Sequence, residues 1–298
     1  MQIYKKFTDM FPILTLLVGG LISCTPSGQG TAPVTPPSPS VPAGMLAADG
    51  NDEGTYALIT ASGYNYETPD ADHSPAVKHI RQEYDGSLGR YVFAFDIHID
   101  TDTNKGEDID RQRNELKTDN SSSASMVAAQ GQTLENSWLF RLPEGMKTTT
   151  AFTHVHQIKG VDNSAGTADI SQPLITFTCR TAGSGQEFQV INVSPSSEGS
   201  TLKYLAKVNL SDFLGEWVSV TERMVCSASG SYSVSIRRIR DAKTLVNIQD
   251  APACMWRSGA QGMRPKWGIY RWFGEGRSAA SQLRDETLWF ADFSVSAH

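Results

Sequence analysis

Period-two alternation of apolar and polar residues dominates this chain. In Tyr91-Val92-Phe93-Ala94-Phe95-Asp96-Ile97-His98-Ile99 every odd position is large and apolar, which predicts a strand with one face on a core. Trp138-Leu139-Phe140-Arg141-Leu142 is a second such run, closed by the turn-forming Pro143-Glu144-Gly145. Further strands are predicted at 173–178, 187–193, 202–209, 217–225, 232–239, 267–272 and 287–296. Asp241-Ala242-Lys243 reads as a hairpin connection between strands around Ile236 and Leu245. No long stretch has helical period; single turns are expected at 78–84 and 210–214. Many short strands separated by polar turns predict an all-β fold, two packed antiparallel sheets in a β-jelly-roll sandwich.

The pattern breaks at the N-terminus. Lys5 and Lys6 precede an apolar run over 11–22 that is too short to span a bilayer and reads as a secretory signal. It ends in Leu21-Ile22-Ser23-Cys24, which resembles the bacterial lipoprotein processing box, with cleavage before Cys24 and lipid on its thiol. Residues 25–44 are rich in Pro, Ser, Thr and Gly and cannot bury a core. The expected organisation is a lipoprotein signal at 1–23, a tether at 24–44 and one domain at 45–298. The protein would then sit on a bacterial envelope membrane, facing periplasm or cell surface and touching lipid through this anchor only.

Composition adds two constraints. A formal net charge of −6 gives no electrostatic case for nucleic-acid binding. Three cysteines remain beyond the anchor, Cys179, Cys226 and Cys254, so at most one internal disulfide can form. A Cys226–Cys254 bridge and three reduced thiols are both compatible with this count.

Three segments concentrate chemistry. Along Asp110-Arg111-Gln112-Arg113-Asn114-Glu115-Leu116-Lys117, a strand would put Arg111, Arg113, Glu115 and Lys117 on one face, either a basic site or a solvated face with ion pairs. In Phe152-Thr153-His154-Val155-His156-Gln157-Ile158-Lys159-Gly160, a regular strand sends His154 and His156 one way and Gln157 and Lys159 the other. Two histidines at i, i+2 are half of a metal site, but no Glu follows at cupin spacing, so no metal is assigned. In Arg264-Pro265-Lys266-Trp267-Gly268-Ile269-Tyr270-Arg271-Trp272, the residues Lys266, Gly268, Tyr270 and Trp272 share a face, and the glycine would leave room for a ligand against the backbone.

Taken in order, these segments resemble the family-seven alginate lyases and the related glucuronan and heparin lyases. Arg113-Asn114-Glu115-Leu116-Lys117 is similar to that family's Arg-Thr-Glu-Leu-Arg strand. Gln157-Ile158-Lys159-Gly160 is similar to its Gln-Ile-His-Gly strand, with Lys159 where the catalytic His stands. Lys266-Trp267-Gly268-Ile269-Tyr270 is similar to its Lys-Ala-Gly-x-Tyr strand, whose Tyr is catalytic. The resemblance implies a concanavalin A-like jelly roll with a concave cleft, acting on an acidic uronate-containing polysaccharide by β-elimination without a cofactor.

On that resemblance, Tyr270 is the acid and a candidate base, and Arg113 with Gln157 neutralises the uronate carboxylate. The base is His156 if a bulge brings it beside Gln157; otherwise Lys159 takes the His position and Tyr270 does both tasks. Arg111, Asn114, Glu115, Lys117, His154, Lys159, Lys266, Arg271 and Trp272 would line the substrate cleft. A monomer is expected. Two other classes remain. A glycoside hydrolase would need paired carboxylates, and Glu107, Asp108 and Asp110 lack the spacing of laminarinase-like enzymes. A non-catalytic glycan-binding lipoprotein would use Trp256, Trp267 and Trp272 as sugar platforms.

Overall fold

The alternating runs become strands, and their apolar faces meet. A computed structural model describes residues 44–196 and 199–298; the predicted signal, Cys24 and nearly all of the tether lie outside the described residues. In chain order the strands are β1 (Met45–Leu46), β2 (Asn65–Glu67), β3 (Ile80–Asp85), β4 (Arg90–Ile97), β5 (Arg111–Lys117), β6 (Thr133–Arg141), β7 (Thr153–Val161) and β8 (Ile175–Ala182). They continue as β9 (Gly185–Ser196), β10 (Gly199–Asn209), β11 (Trp217–Val225), β12 (Gly230–Arg238), β13 (Thr244–Ala253), β14 (Gly262–Trp272) and β15 (Glu286–Ala297).

Two sheets result. Sheet A runs β13-β12-β11-β6-β15-β4-β3, with β1 added on β15, and sheet B runs β10-β9-β8-β7-β14-β5-β2. All pairs between these strands are antiparallel. Sequence-distant strands lie side by side, as β14 does between β7 and β5, so this is a jelly-roll sandwich rather than a meander.

The core lies between the sheets. Phe93, Phe95, Trp138, Phe140, Val220 and Phe290 from sheet A face Ile158, Phe177, Phe188, Trp267 and Ile269 from sheet B. The Trp138 ring lies 5.8 Å from Phe177 and 5.7 Å from Trp267, so the layers interdigitate. Each fully buried Phe contributes about 1.5–3 kcal/mol by leaving water.

Local expectations fare unevenly. β11 matches its predicted span, and Asp241-Ala242-Lys243 does join β12 to β13. The stretch expected as a turn at 78–84 is mostly β3, because Ile80 and Gln82 face inward in alternation and pair with β4. A helix, α1 (Thr55–Ala61), stands where none was expected; only Thr55 and Ile59 are buried in it, too few to register as a periodic stripe. All three cysteines are free, which removes the Cys226–Cys254 bridge. Burial pushes the Cys226 thiol up to about 12, with the Glu222 carboxylate adding to the shift.

Candidate active site

Sheet B has an inner face on the core and an outer face that collects charge. Register fixes who meets whom there. Between β14 and β5, Lys266 stands opposite Lys117, Gly268 opposite Glu115, Tyr270 opposite Arg113 and Trp272 opposite Arg111. Between β14 and β7, Arg264 is opposite Lys159, Lys266 opposite Gln157 and Tyr270 opposite His154. Further out, His154 pairs with Thr178 of β8, and Arg180 lies one step along the same face.

Gly268 makes the β14–β5 pairing possible. Its φ is +138°, and a Cβ there would sit 2.1 Å from the Asn114 carbonyl oxygen and 2.8 Å from the Glu115 Cα. The glycine therefore admits the β5 backbone rather than opening room for a ligand.

A bulge in β7 decides the histidines. The β7–β8 register slips between His154 and His156, so Val155 and His156 both turn inward while His154, Gln157 and Lys159 face out. His156 is consequently a core residue, not the base on the outer face. Its ring packs 4.5 Å from Trp138 and 4.8 Å from Phe177, and its Nε2 lies 3.2 Å from both Glu222 carboxylate oxygens. Glu222 also accepts from Asn136 Nδ2 and the Tyr232 hydroxyl, each at 2.7 Å. This network satisfies a buried carboxylate, which is the reason the imidazole is held inside.

On the outer face, two carboxylates organise four cations. Glu115 accepts from Arg113 Nη1 at 2.6 Å and Lys266 Nζ at 2.5 Å, and also from Gln157 Nε2. Glu67 of β2 contacts Lys266 at 2.7 Å, Lys105 at 2.9 Å, Arg113 at 3.0 Å and Lys117 at 3.2 Å. Burial opposes charge on both carboxylates, yet Lys266 and Arg113 outweigh it, holding Glu67 well below the usual carboxylate range and lowering Glu115 as well. Arg113, Glu115, Gln157 and Lys266 are thus a buried layer that braces the site, with little surface left for a substrate.

Above that layer lie Tyr270 and His154. Arg111 Nη1 donates to the Tyr270 hydroxyl at 2.9 Å, while Asp110 holds the same guanidinium from the other side at 2.5 Å. The Arg113 guanidinium sits 3.9 Å from the Tyr270 ring centroid, a cation–π contact. The His154 ring lies 6.0 Å from that of Tyr270, stacked on Phe152, with Nδ1 2.8 Å from Thr178 Oγ1. Burial lowers the His154 pKa to about 3, and the charges of Arg180, Arg113 and Lys159 push the same way, so its imidazole is neutral near pH 7.

Three more cations lie on this face, Arg180 and Lys159 to either side of His154 and Arg264 opposite Lys159, and among the described residues none of them pairs with a carboxylate there. Lys159 Nζ donates only to the Ser171 carbonyl, at 3.3 Å. Arg180 Nε and Arg264 Nη1 are buried without a hydrogen-bond partner. Burial lowers Lys159 to about 8, helped by the charges of Arg264 and Arg113, the mark of a locally positive field.

Two other predicted contacts face the wrong way. Asn114 is fully buried on the inner side and donates to the carbonyls of His79 and Asp96. Arg271 is buried as well, donating to Gln112 Oε1 and the Arg284 carbonyl. Trp267 lies in the core, which removes it as a sugar platform, while Trp272 is half-buried beside Arg111. Asp108 and Asp110 pair with Arg277 and Arg111, so these two acids do not stand as an open pair for hydrolysis. Three outer-face residues were not singled out from sequence: Glu67, Arg180 and Arg264. Arg264 could have been, since it is two positions from Lys266 and so shares its face.

No family model matches the sequence, and no curated protein matches it. Solved structures do match. An alginate lyase from Pseudomonas aeruginosa superposes with a TM-score of 0.51 at 16% identity, covering 79% of this chain and 98% of that one. A double-cysteine variant of alginate lyase A1-II′ gives 0.50 at 16% identity, covering 83% and 98%. The chain therefore has the fold of the jelly-roll polysaccharide lyases, as its three segments suggested.

Proposed function

We propose that the outer face of sheet B cleaves an anionic, uronate-containing polysaccharide by β-elimination. The observation that carries this is the arrangement at Tyr270: a phenol accepting from one guanidinium, stacked over a second, beside a neutral imidazole. Elimination across C4–C5 needs positive charge at the uronate carboxyl as C5 becomes a carbanion. It also needs a base for the C5 proton and an acid for the departing O4.

His154 replaces His156 as the base. A neutral imidazole whose Nδ1 is engaged by Thr178 has Nε2 available to take a proton. Tyr270 is the acid: its oxygen accepts from Arg111, so its own O–H proton remains to be given to O4. Arg180 and Lys159, with donors not spent on carboxylates, flank His154 along the face and would bind uronate carboxylates on either side of it, and Arg113 adds charge from below. Lys159 then contributes to binding rather than to proton transfer. The alginate lyases that share the fold act on a polymer of this charge, which supports the reading. Lipidation of Cys24 would place the enzyme, as a monomer, on the envelope surface where such polymers are met.

The test is incubation with a panel of purified uronate polymers, followed by ultraviolet absorbance of the unsaturated product and its mass. At least one polymer should yield a product with a C4=C5 double bond. Reducing ends appearing without that absorbance would instead identify a hydrolase, and binding without cleavage a glycan-binding protein.

A further inference from the structure

Away from this face, three of the chain's six histidines converge on one carboxylate. His73 follows the short turn Asp70–Asp72, His79 immediately precedes β3, and His98 and Asp102 lie in the loop after β4. Their ligand atoms all fall within 4.8 Å of one another. His73 Nε2 is 2.7 Å from Asp102 Oδ1; His79 Nε2 is 3.1 Å from His98 Nδ1 and 3.2 Å from Asp102 Oδ2; His98 Nδ1 is 3.3 Å from Asp102 Oδ2.

Three of these spacings, 3.1–3.3 Å, match a tetrahedral metal shell; one is shorter, at 2.7 Å, and the remaining pairs lie within 4.8 Å. Zinc–nitrogen bonds of 2.0–2.1 Å put neighbouring donor atoms about 3.3 Å apart and imidazole centres about 5 Å apart. The three ring centroids are 4.8, 5.0 and 5.3 Å from each other, a nearly equilateral triangle.

A second observation points the same way. His79 is fully buried, and its outward nitrogen, Nδ1, lies 3.0 Å from Asp70 Oδ1 and 2.9 Å from the Val77 carbonyl. A proton held there directs the Nε2 lone pair into the cluster, the carboxylate–histidine arrangement that orients metal ligands. The facing nitrogens of His79 and His98 can share only one proton, and Asp102 already accepts from the His98 backbone N–H at 2.6 Å and from Thr101 Oγ1 at 3.1 Å.

We propose that His73, His79, His98 and Asp102 form a structural site for a divalent cation of the zinc class. Three imidazoles and one carboxylate, without thiolate, suit Zn²⁺ in tetrahedral coordination, and four protein ligands leave no open position for chemistry. The ion joins the segment leading into β3 to the loop after β4. That loop supports β5 directly: Gln112 Nε2 donates to the His98 and Asp102 carbonyls at 2.6 and 2.9 Å, and Arg113 N donates to the Thr103 carbonyl at 3.1 Å. The metal thereby fixes the strand that carries Arg111 and Arg113, without touching substrate.

The proposal is independent of the lyase reading, and its test does not use activity. The purified protein is stripped with a chelator and titrated with Zn²⁺ by calorimetry, with thermal unfolding followed alongside; Co²⁺ is then substituted for its visible spectrum. One equivalent should bind per chain, Tm should rise on binding, and Co²⁺ should give the intense d–d bands of a tetrahedral site. His73 and His98 are at the rim, with side chains 17% and 36% exposed, so His73→Gln and His98→Gln should fold, as circular dichroism would verify. Each should lose the bound equivalent, whereas Asp70→Asn should keep the stoichiometry and weaken affinity about 10–100-fold. No saturable Zn²⁺ binding by the wild type would overturn the proposal, as would wild-type affinity in folded His73→Gln and His98→Gln.

Discussion

Arg111 and Tyr270 meet across β5 and β14, with Nη1 2.9 Å from the phenolic oxygen, and Asp110 anchors the guanidinium from behind. The contact is charge-assisted, and it strengthens as the phenol gives up its proton to a leaving group. Arg111→Ala should therefore lower kcat more than it raises KM. Losing a hydrogen bond to a charged group costs about 1.5–3 kcal/mol, or roughly 10–100-fold in rate. A change confined to KM would assign Arg111 to substrate binding alone.

His156 belongs to the core network of Glu222, Asn136 and Tyr232, so removing it should be a stability event. His156→Ala leaves a buried carboxylate short of a partner and should cost about 1–3 kcal/mol in urea unfolding. The folded fraction should turn over at the wild-type rate. A folded, stable variant without activity would return His156 to the mechanism.

His154 makes a pH prediction. Its pKa falls from 6.5 to about 3 on folding, chiefly through burial, so between those values the unfolded chain binds the extra proton. Stability then rises with pH across that window and is lost as pH falls from about 6.5 towards 3. His154→Gln lacks this term, so its stability should fall less steeply on acidification. Urea unfolding of both proteins at several pH values gives the comparison; parallel curves would mean that the imidazole is not desolvated.

Gly268 is held at φ +138° against the β5 backbone, where any Cβ collides with Asn114 and Glu115. Gly268→Ala should destabilise the fold by at least the roughly 1–3 kcal/mol of such backbone strain and disturb the Tyr270–Arg113 pairing. Wild-type Tm and kcat in this variant would show that β14 can shift away from β5 at no cost.

The sheets were legible because alternation is a direct imprint of burial on one face. The same alternation correctly put Arg111, Arg113, Glu115 and Lys117 together on β5, and Lys266 with Tyr270 on β14. It failed where backbone geometry departs from period two. The bulge at Val155–His156 has no residue signature, since neither is a glycine, and it exchanged the fates of His154 and His156. Asn114 and Arg271 were assigned to the substrate by motif or neighbourhood, although strict alternation already placed them inside. Glu67 was invisible for another reason: β2 is three residues long, and only tertiary pairing with β5 brings it to Lys266 and Arg113. The histidine cluster around Asp102 likewise joins loops that no local pattern connects.

The central claim is that Tyr270, beside His154, performs a β-elimination. The most direct measurement is the rate of ultraviolet absorbance from the unsaturated uronate product, for wild type and Tyr270→Phe on the best polymer of a panel, with polymer affinity measured in parallel. Wild type should generate the absorbance, and Tyr270→Phe should lose about 10²–10⁴-fold in kcat while binding the polymer and unfolding as before. Wild-type cleavage without unsaturated product, or a Tyr270→Phe variant retaining most of its kcat, would contradict the account.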